Sequence, residues 1–185
     1  MDIVNDLETG DSISAEDYAI LGEEYQQYFS EQLDGTYKLI GTANEFKTIV
    51  ESIELGKLKE DINTKKGTIS QMNASDITTS SGRTLDFNAA HNAANEGKLH
   101  ETWDEAYIES INEALKTNYT TVEEANTAWN NYESSLLASA STLAMSIDNF
   151  DDLDKVFKEG LITVDDYNKK LKELTDMLDE DVDEE

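Results

Sequence analysis

The sequence predicts an all-α fold, an antiparallel bundle of about six to eight helices with one long member and a small extended arm near residues 35–41. Three observations lead there. Proline is absent from all 185 residues, which removes the commonest helix breaker. Five Ser/Thr-x-x-Asp/Glu boxes, each able to satisfy the free amides of a helix start, precede apolar residues at helical spacing: Ser14 with Asp17, Thr42 with Glu45, Thr102 with Glu105, Thr121 with Glu124, and Thr163 with Asp166. Apolar positions recur three and four residues apart over most of the chain.

From Ser14, the positions Tyr18, Leu21, Tyr25, Tyr28, Phe29 and Leu33 predict one amphipathic helix reaching Asp34-Gly35. The segment Gly35 to Gly41 alternates as an extended linker or small hairpin arm would. A second helix is expected from Ala43 through Phe46, Ile49, Val50 and Ile53 to Leu55, stopped by Gly56. Residues 63–84 are rich in Thr, Ser, Asn and Gly, and predict a polar connector between an acidic helical part, 1–62, and a C-terminal helical part, 85–185.

Beyond it, Leu85 to Glu96 predicts a helix ended by Gly97, and Trp103 to Lys116 another with Trp103, Tyr107, Ile111, Ala114 and Leu115 on one face. The longest helix is expected from Thr121, where Val122, Ala125, Trp129, Tyr132, Leu136, Leu143 and Ile147 form a seam on a rod of about 39 Å, suited to burial against other helices or a second copy of the chain. A helix from Phe150 to Glu159, a stop at Gly160, and a last helix from Val164 into the acidic tail Asp179 to Glu185 complete the pattern. Ile13-Ser14-Ala15-Glu16-Asp17-Tyr18 is echoed by Ile162-Thr163-Val164-Asp165-Asp166-Tyr167, which reads as one corner between antiparallel helices used twice.

Composition narrows the function. Cysteine is absent, so disulfides, thiolate metal sites and cysteine nucleophiles are excluded. The opening residues Met1 to Asp6 lack a signal-peptide pattern, and no apolar run spans a bilayer, so a cytoplasmic location in a host cell is expected, with no membrane contact. Net charge is −27, with 4 basic against 14 acidic residues in 1–60, 5 against 9 in 61–120, and 5 against 18 in 121–185. Such a field repels phosphate backbones and favours basic protein surfaces or cations; a single arginine, Arg83, offers no cluster of anion-binding forks.

Neither of the two histidines, His91 and His100, has the i, i+4 partner that lets one helix face hold zinc. The clusters Asp148, Asp151, Asp152, Asp154 and Asp179, Asp181, Asp183 lack the glycine and glutamate of a calcium loop, and read instead as a helix start and a polyanionic tail. No nucleophile elbow, P-loop or dinucleotide fingerprint is present, so no catalytic residues, metal or cofactor are expected. Trp103, Trp129, Tyr132, Tyr25 and Tyr28 are expected as core.

Ile13 to Tyr18, Tyr28-Phe29, Asp34 to Phe46, and the Leu153 to Leu174 region around Gly160-Leu161-Ile162-Thr163 resemble stretches of phage tail tape-measure proteins, over roughly a third of the chain. The resemblance implies a phage or prophage origin. It leads to two expectations. One is a non-catalytic phage inhibitor that, like DNA-mimic anti-CRISPR or anti-restriction proteins, occupies the basic surface of a host nucleic-acid-binding defence protein such as a nuclease. Its partner-binding carboxylates would be Glu16, Asp17, Glu23, Glu24, Asp148, Asp151, Asp152, Asp154, Asp165 and Asp166. The other is a structural or assembly component of a phage tail, found in the virion and self-associating through the helix from Thr121. An unrecognised carboxylate hydrolase stands third.

Overall fold

The computed structural model describes residues 7–183, with side-chain surroundings to Leu178; the opening residues 1–6 and the side chains of the acidic tail lie outside the described set. The chain forms two compact units, Met1–Leu58 and Lys59–Glu185. Its described part is mostly helical, with eight α-helices and two small sheets.

The first unit departs most from expectation. The single helix predicted from Ser14 to Leu33 is instead two short helices and a strand: α1 (Ala15–Ile20), α2 (Glu23–Gln26) and β2 (Phe29–Glu31). The chain turns extended at Leu21, and the Gln26 amide donates to the Tyr18 and Leu21 carbonyls at 3.1 and 2.9 Å, satisfying acceptors that the end of α1 leaves open. Aromatic Tyr28-Phe29 then favours a pleated sheet over a helix. β2 pairs antiparallel with β3 (Tyr37–Leu39), Phe29 opposite Leu39, and β3 pairs on its other edge with β1 (Ser12–Ile13), Ile13 opposite Tyr37. The extended arm expected at 35–41 is thus the central strand of a three-stranded sheet. Ile13, Leu21, Tyr25, Phe29, Leu39, Phe46 and Val50 make this unit's core.

Helix α3 (Ala43–Asn73) starts at the Thr42/Glu45 box as predicted, with both reciprocal bonds formed, but does not stop at Gly56. Both Gly56 and Gly67 lie inside it. A helical glycine costs about 1 kcal/mol without breaking the hydrogen-bond ladder, and no proline follows. With 31 residues, α3 rather than the helix from Thr121 is the longest described. Residues 63–84, predicted as a connector, are the last turns of α3 followed by a hairpin of β4 (Asp76–Thr78) and β5 (Thr84–Asp86).

The two hairpins share one design. In each a three-residue loop ends in glycine at φ +81°, Gly35 and Gly82, and is closed by a backbone bond, Gln32 N–H to Thr36 at 2.8 Å and Thr79 N–H to Arg83 at 2.9 Å. A left-handed glycine in the third loop position relieves the twist between the strands.

In the second unit α4 (Phe87–Asn95) is capped by Asp86, and α5 (Asp104–Leu115) follows a 3₁₀ turn at Glu101–Trp103. The Thr102/Glu105 box does not form: Thr102 lies in that turn, where its amide donates to His100 Nδ1 at 3.2 Å. α6 (Val122–Met145) begins at a complete Thr121/Glu124 box. Met72, Ile77, Phe87, Ala90, Ala106, Tyr107, Ile111, Ala125 and Trp129 form a core among α3 to α6 and the hairpin.

α7 (Phe150–Lys158) and α8 (Val164–Asp183) close the unit. α7 folds back on α8, with Tyr167 stacking on Phe157 at 4.4 Å and donating to Asp154 at 2.6 Å. α6 and α8 run parallel, since Ser141 bonds Asp166 at 2.7 Å and Lys170 Nζ bonds the Met145 carbonyl at 3.4 Å, each pair 25 residues apart. The echoed segments share a buried isoleucine (Ile13, Ile162), a capping hydroxyl (Ser14, Thr163) and a stacked tyrosine (Tyr18 on Tyr37 at 3.7 Å; Tyr167 on Phe157). They are not the same corner between helices: the first leads from β1 into α1, the second from α7 into α8.

Candidate functional site

Nine of the ten carboxylates singled out in the sequence sit in or just before the first turn of a helix, where an anion offsets the positive end of the helix dipole and accepts from free amides; Asp154, in the middle of α7, is the exception. In the first unit Glu16 and Asp17 occupy the first turn of α1, and Glu23 and Glu24 that of α2. Glu16 and Glu23 are exposed. Asp17 accepts the Ser14 hydroxyl at 2.8 Å. Glu24 is held 2.5 Å from Lys57 Nζ, and the hydrogen bond from that ammonium holds its carboxyl below the usual glutamate range. Lys57 also lies 4.9 Å over the Tyr25 ring, whose hydroxyl bonds Glu54.

In the second unit the six aspartates separate. Asp151 and Asp152 lie in the first turn of α7 and Asp148 just before it, all exposed, with Asn149 as the cap. Asn149 Nδ2 donates to Asp148 at 2.9 Å and Asp152 at 2.8 Å. Asp165 and Asp166 open α8. Because α7 and α8 are antiparallel, these two starts lie at opposite ends of their pair, with Asp154 between them on Tyr167. Asp166 is tied into the fold: partial burial pushes its carboxyl up, but hydrogen bonds from Thr163 and Ser141 outweigh this and hold it below the usual aspartate range. Asp17, Glu24, Asp154 and Asp166 are therefore half-buried and bonded within the fold, while Glu16, Glu23, Asp148, Asp151, Asp152 and Asp165 are exposed, Asp148 and Asp152 sharing the Asn149 amide.

Two constellations escaped the sequence reading. The first is a closed polar ring of α4, α5 and α6. Tyr107 donates to Asn126 Oδ1 at 2.8 Å and so receives the His91 Nδ1 proton at 2.8 Å; His91 Nε2 then accepts from Asn95 Nδ2 at 3.2 Å; Asn126 and Asn130 donate to Asn95 Oδ1 at 2.8 and 2.9 Å. Glu133 lies 3.6 Å from His91 Nε2. Burial, with a smaller contribution from the Glu133 charge, pushes the Tyr107 phenol up and keeps it neutral. The ring fixes three helices to one another with polar partners satisfied. The second is apolar: Met145, Phe150, Met177 and Leu178 are exposed at the end of the second unit where α7 starts.

A cleft of about 350 Å³ beside β4 is lined by Thr68, Gln71, Ser75, Ser110 and Lys116 over Met72, a mainly hydrogen-bonding surface. Among the described residues no group of three or more His, Asp or Glu side chains is placed to hold a metal ion, and no helix is long and apolar enough to cross a membrane. Comparison of the chain with protein-family models, with curated proteins and with solved structures gives no match.

Proposed function

We propose that the chain is a phage-encoded, non-catalytic acidic protein that inhibits a host nucleic-acid-binding defence protein by occupying its basic surface. The observation that carries this reading is the set of exposed carboxylates fixed at helix starts, Glu16 and Glu23 in one unit and Asp148, Asp151, Asp152 and Asp165 in the other, on a chain of net charge −27. Carboxylates held on helical frames lose little freedom when a cationic groove closes over them, whereas acids on loose segments must first be ordered. Steering by such a field accelerates encounter with basic partners and rejects polyanions.

The alternative, a phage-tail component that self-associates through the helix from Thr121, is less well supported. The seam of α6 is taken up inside its own unit, with Ala125, Trp129, Ala140, Leu143 and Ala144 all buried. Affinity capture from host lysate at low salt tests the proposal. A nuclease or other nucleic-acid-binding protein should be retained and then released by duplex DNA or by raised salt, since exposed charges are screened beyond about 8 Å at physiological ionic strength. Recovery of tail proteins alone, or retention indifferent to salt and DNA, would overturn it.

A further inference from the structure

Resting on that reading, we infer that the end of the second unit carrying Met145, Phe150, Met177 and Leu178 is a docking surface for an amphipathic basic helix of a partner protein. The apolar stripe of α8 runs Tyr167, Leu171, Leu174 and then Met177 and Leu178, at spacings of three and four. Its earlier part is covered, Leu174 being 6% exposed, whereas Met177 and Leu178 are 58% and 55% exposed. α7 does not reach that far along α8. That helix runs antiparallel to α8 with Asp154 against Tyr167, so its first residue, Phe150, four positions before Asp154, lies about level with Leu171, four positions after Tyr167. Leu174, three positions past that level, is still covered, and beyond it the stripe is bare at Met177 and Leu178. The last turn of α6 ends at the same level, held by Lys170 Nζ on the Met145 carbonyl, and adds Met145 at 70% exposure beside Phe150 at 37%.

Charge selects the occupant. Exposed Asp148, Asp151 and Asp152 flank the apolar end, Asp176 there is paired with Lys172 at 3.2 Å, and the sequence after Leu178 reads Asp-Glu-Asp-Val-Asp-Glu-Glu, with no lysine or arginine after Lys172. A second copy would bring like charge against like charge, and an anionic lipid surface would be repelled in the same way. A segment with an apolar stripe flanked by lysine or arginine matches both features. Its most economical form is a helix, which prolongs the packing of α7 on α8 by presenting its own i, i+3, i+4 ridge to the bare stripe. Two of the four methionines of the chain stand here, and their unbranched, polarisable side chains adapt to ridges of different shape.

The test uses the whole chain and two synthetic peptides of about 18 residues with the same lysine and leucine content, one with the leucines on a single helical face and one permuted so that no face forms. Calorimetric titration near 0.15 M salt should give at least about tenfold tighter binding of the amphipathic peptide, the scale set by burying parts of two large apolar side chains. The charge-preserving double substitution Met177→Ser, Leu178→Ser should reduce that preference to within about twofold with an unchanged thermal midpoint, and Leu33→Ser, at an exposed site in the other unit, should leave it intact. Equal binding of the two peptides would overturn the docking surface while leaving the acidic-binder reading standing, and binding of neither would remove both. A preference that survives the double substitution, or a dimer in sedimentation that the double substitution dissociates, would also overturn it.

Discussion

His91 Nδ1 lies 2.8 Å from the Tyr107 hydroxyl, inside a core where both residues are almost fully buried, and that bond is the entry to the ring linking α4, α5 and α6. Tyr107→Phe removes one oxygen and strands the His91 N–H and the Asn126 carbonyl together. The expected loss is about 1–3 kcal/mol, read as a lower urea midpoint with an unchanged slope. No loss would mean that water replaces the phenol, and the ring would not be a structural tie.

Asp166 gives a pH-dependent counterpart. Its folded-state pKa is lowered, so its contribution is complete above the ordinary aspartate value of about 3.9 and is lost as pH falls through the lower folded value. Asp166→Ala should cost about 1–3 kcal/mol at neutral pH, through the lost acceptor for the Thr163 hydroxyl and the lost bond from Ser141. The gap between parent and variant should close as pH drops below about 3.9. Chemical denaturation at a series of pH values checks both; a gap independent of pH would show that packing rather than the carboxylate carries the effect.

The glycines divide into two classes with opposite responses. Gly56 and Gly67 lie inside α3 with open space where a Cβ would go, so Gly56→Ala and Gly67→Ala should each stabilise by about 0.5–1 kcal/mol. Gly160 ends α7 at φ +69°, with Lys66 Nζ 3.2 Å from the position of an added Cβ. Gly160→Ala should destabilise by about 1–2 kcal/mol. Thermal midpoints of the three variants decide the matter.

Caps that look alike in sequence should also separate. Thr121→Ala breaks a box with both bonds made and should cost about 1 kcal/mol. Thr102→Ala touches only a hydroxyl beside His100 in a 3₁₀ turn and should stay within about 0.5 kcal/mol of the parent. Equal losses from the two, measured in the same denaturant series, would contradict the local geometry.

Those boxes also show what was legible before the fold was known. Thr42, Thr121 and Thr163 announced helix starts because a cap is a local device, complete within four residues. The stops at Gly97 and Gly160 were readable for the same reason, both being left-handed residues beyond a helix end. The first unit was misread because Tyr18 to Leu33 satisfies a helical period, while strand pairing with Tyr37 to Leu39 is not visible in any one window. Asp34-Gly35 was the available signal for a hairpin. Gly56 was read as a stop although only the absence of left-handed geometry, seen in three dimensions, shows that a helical glycine continues.

Apart from Asp154 the candidate carboxylates were locatable as helix starts, but their division into half-buried and exposed was not, since Ser141 reaches Asp166 from another helix and Lys57 reaches Glu24 across 33 residues. The exposed end at Met177 and Leu178 was hidden by its own regularity. The stripe from Tyr167 onward reads as uniformly buried, and only the fold shows that cover ends after Leu174.

Arg83 closes the loop of the second hairpin and sets its guanidinium 5.3 Å over the Trp103 ring, and it is the one arginine in the chain. An arginine-specific protease therefore has a single address, the bond between Arg83 and Thr84, the first residue of β5. Because a protease must draw its substrate out into an extended form, cutting there requires the hairpin to unzip and the ring to release its cation. The rate of that one scission reports the opening of β4 from β5 in the otherwise native molecule, with no label or substitution introduced.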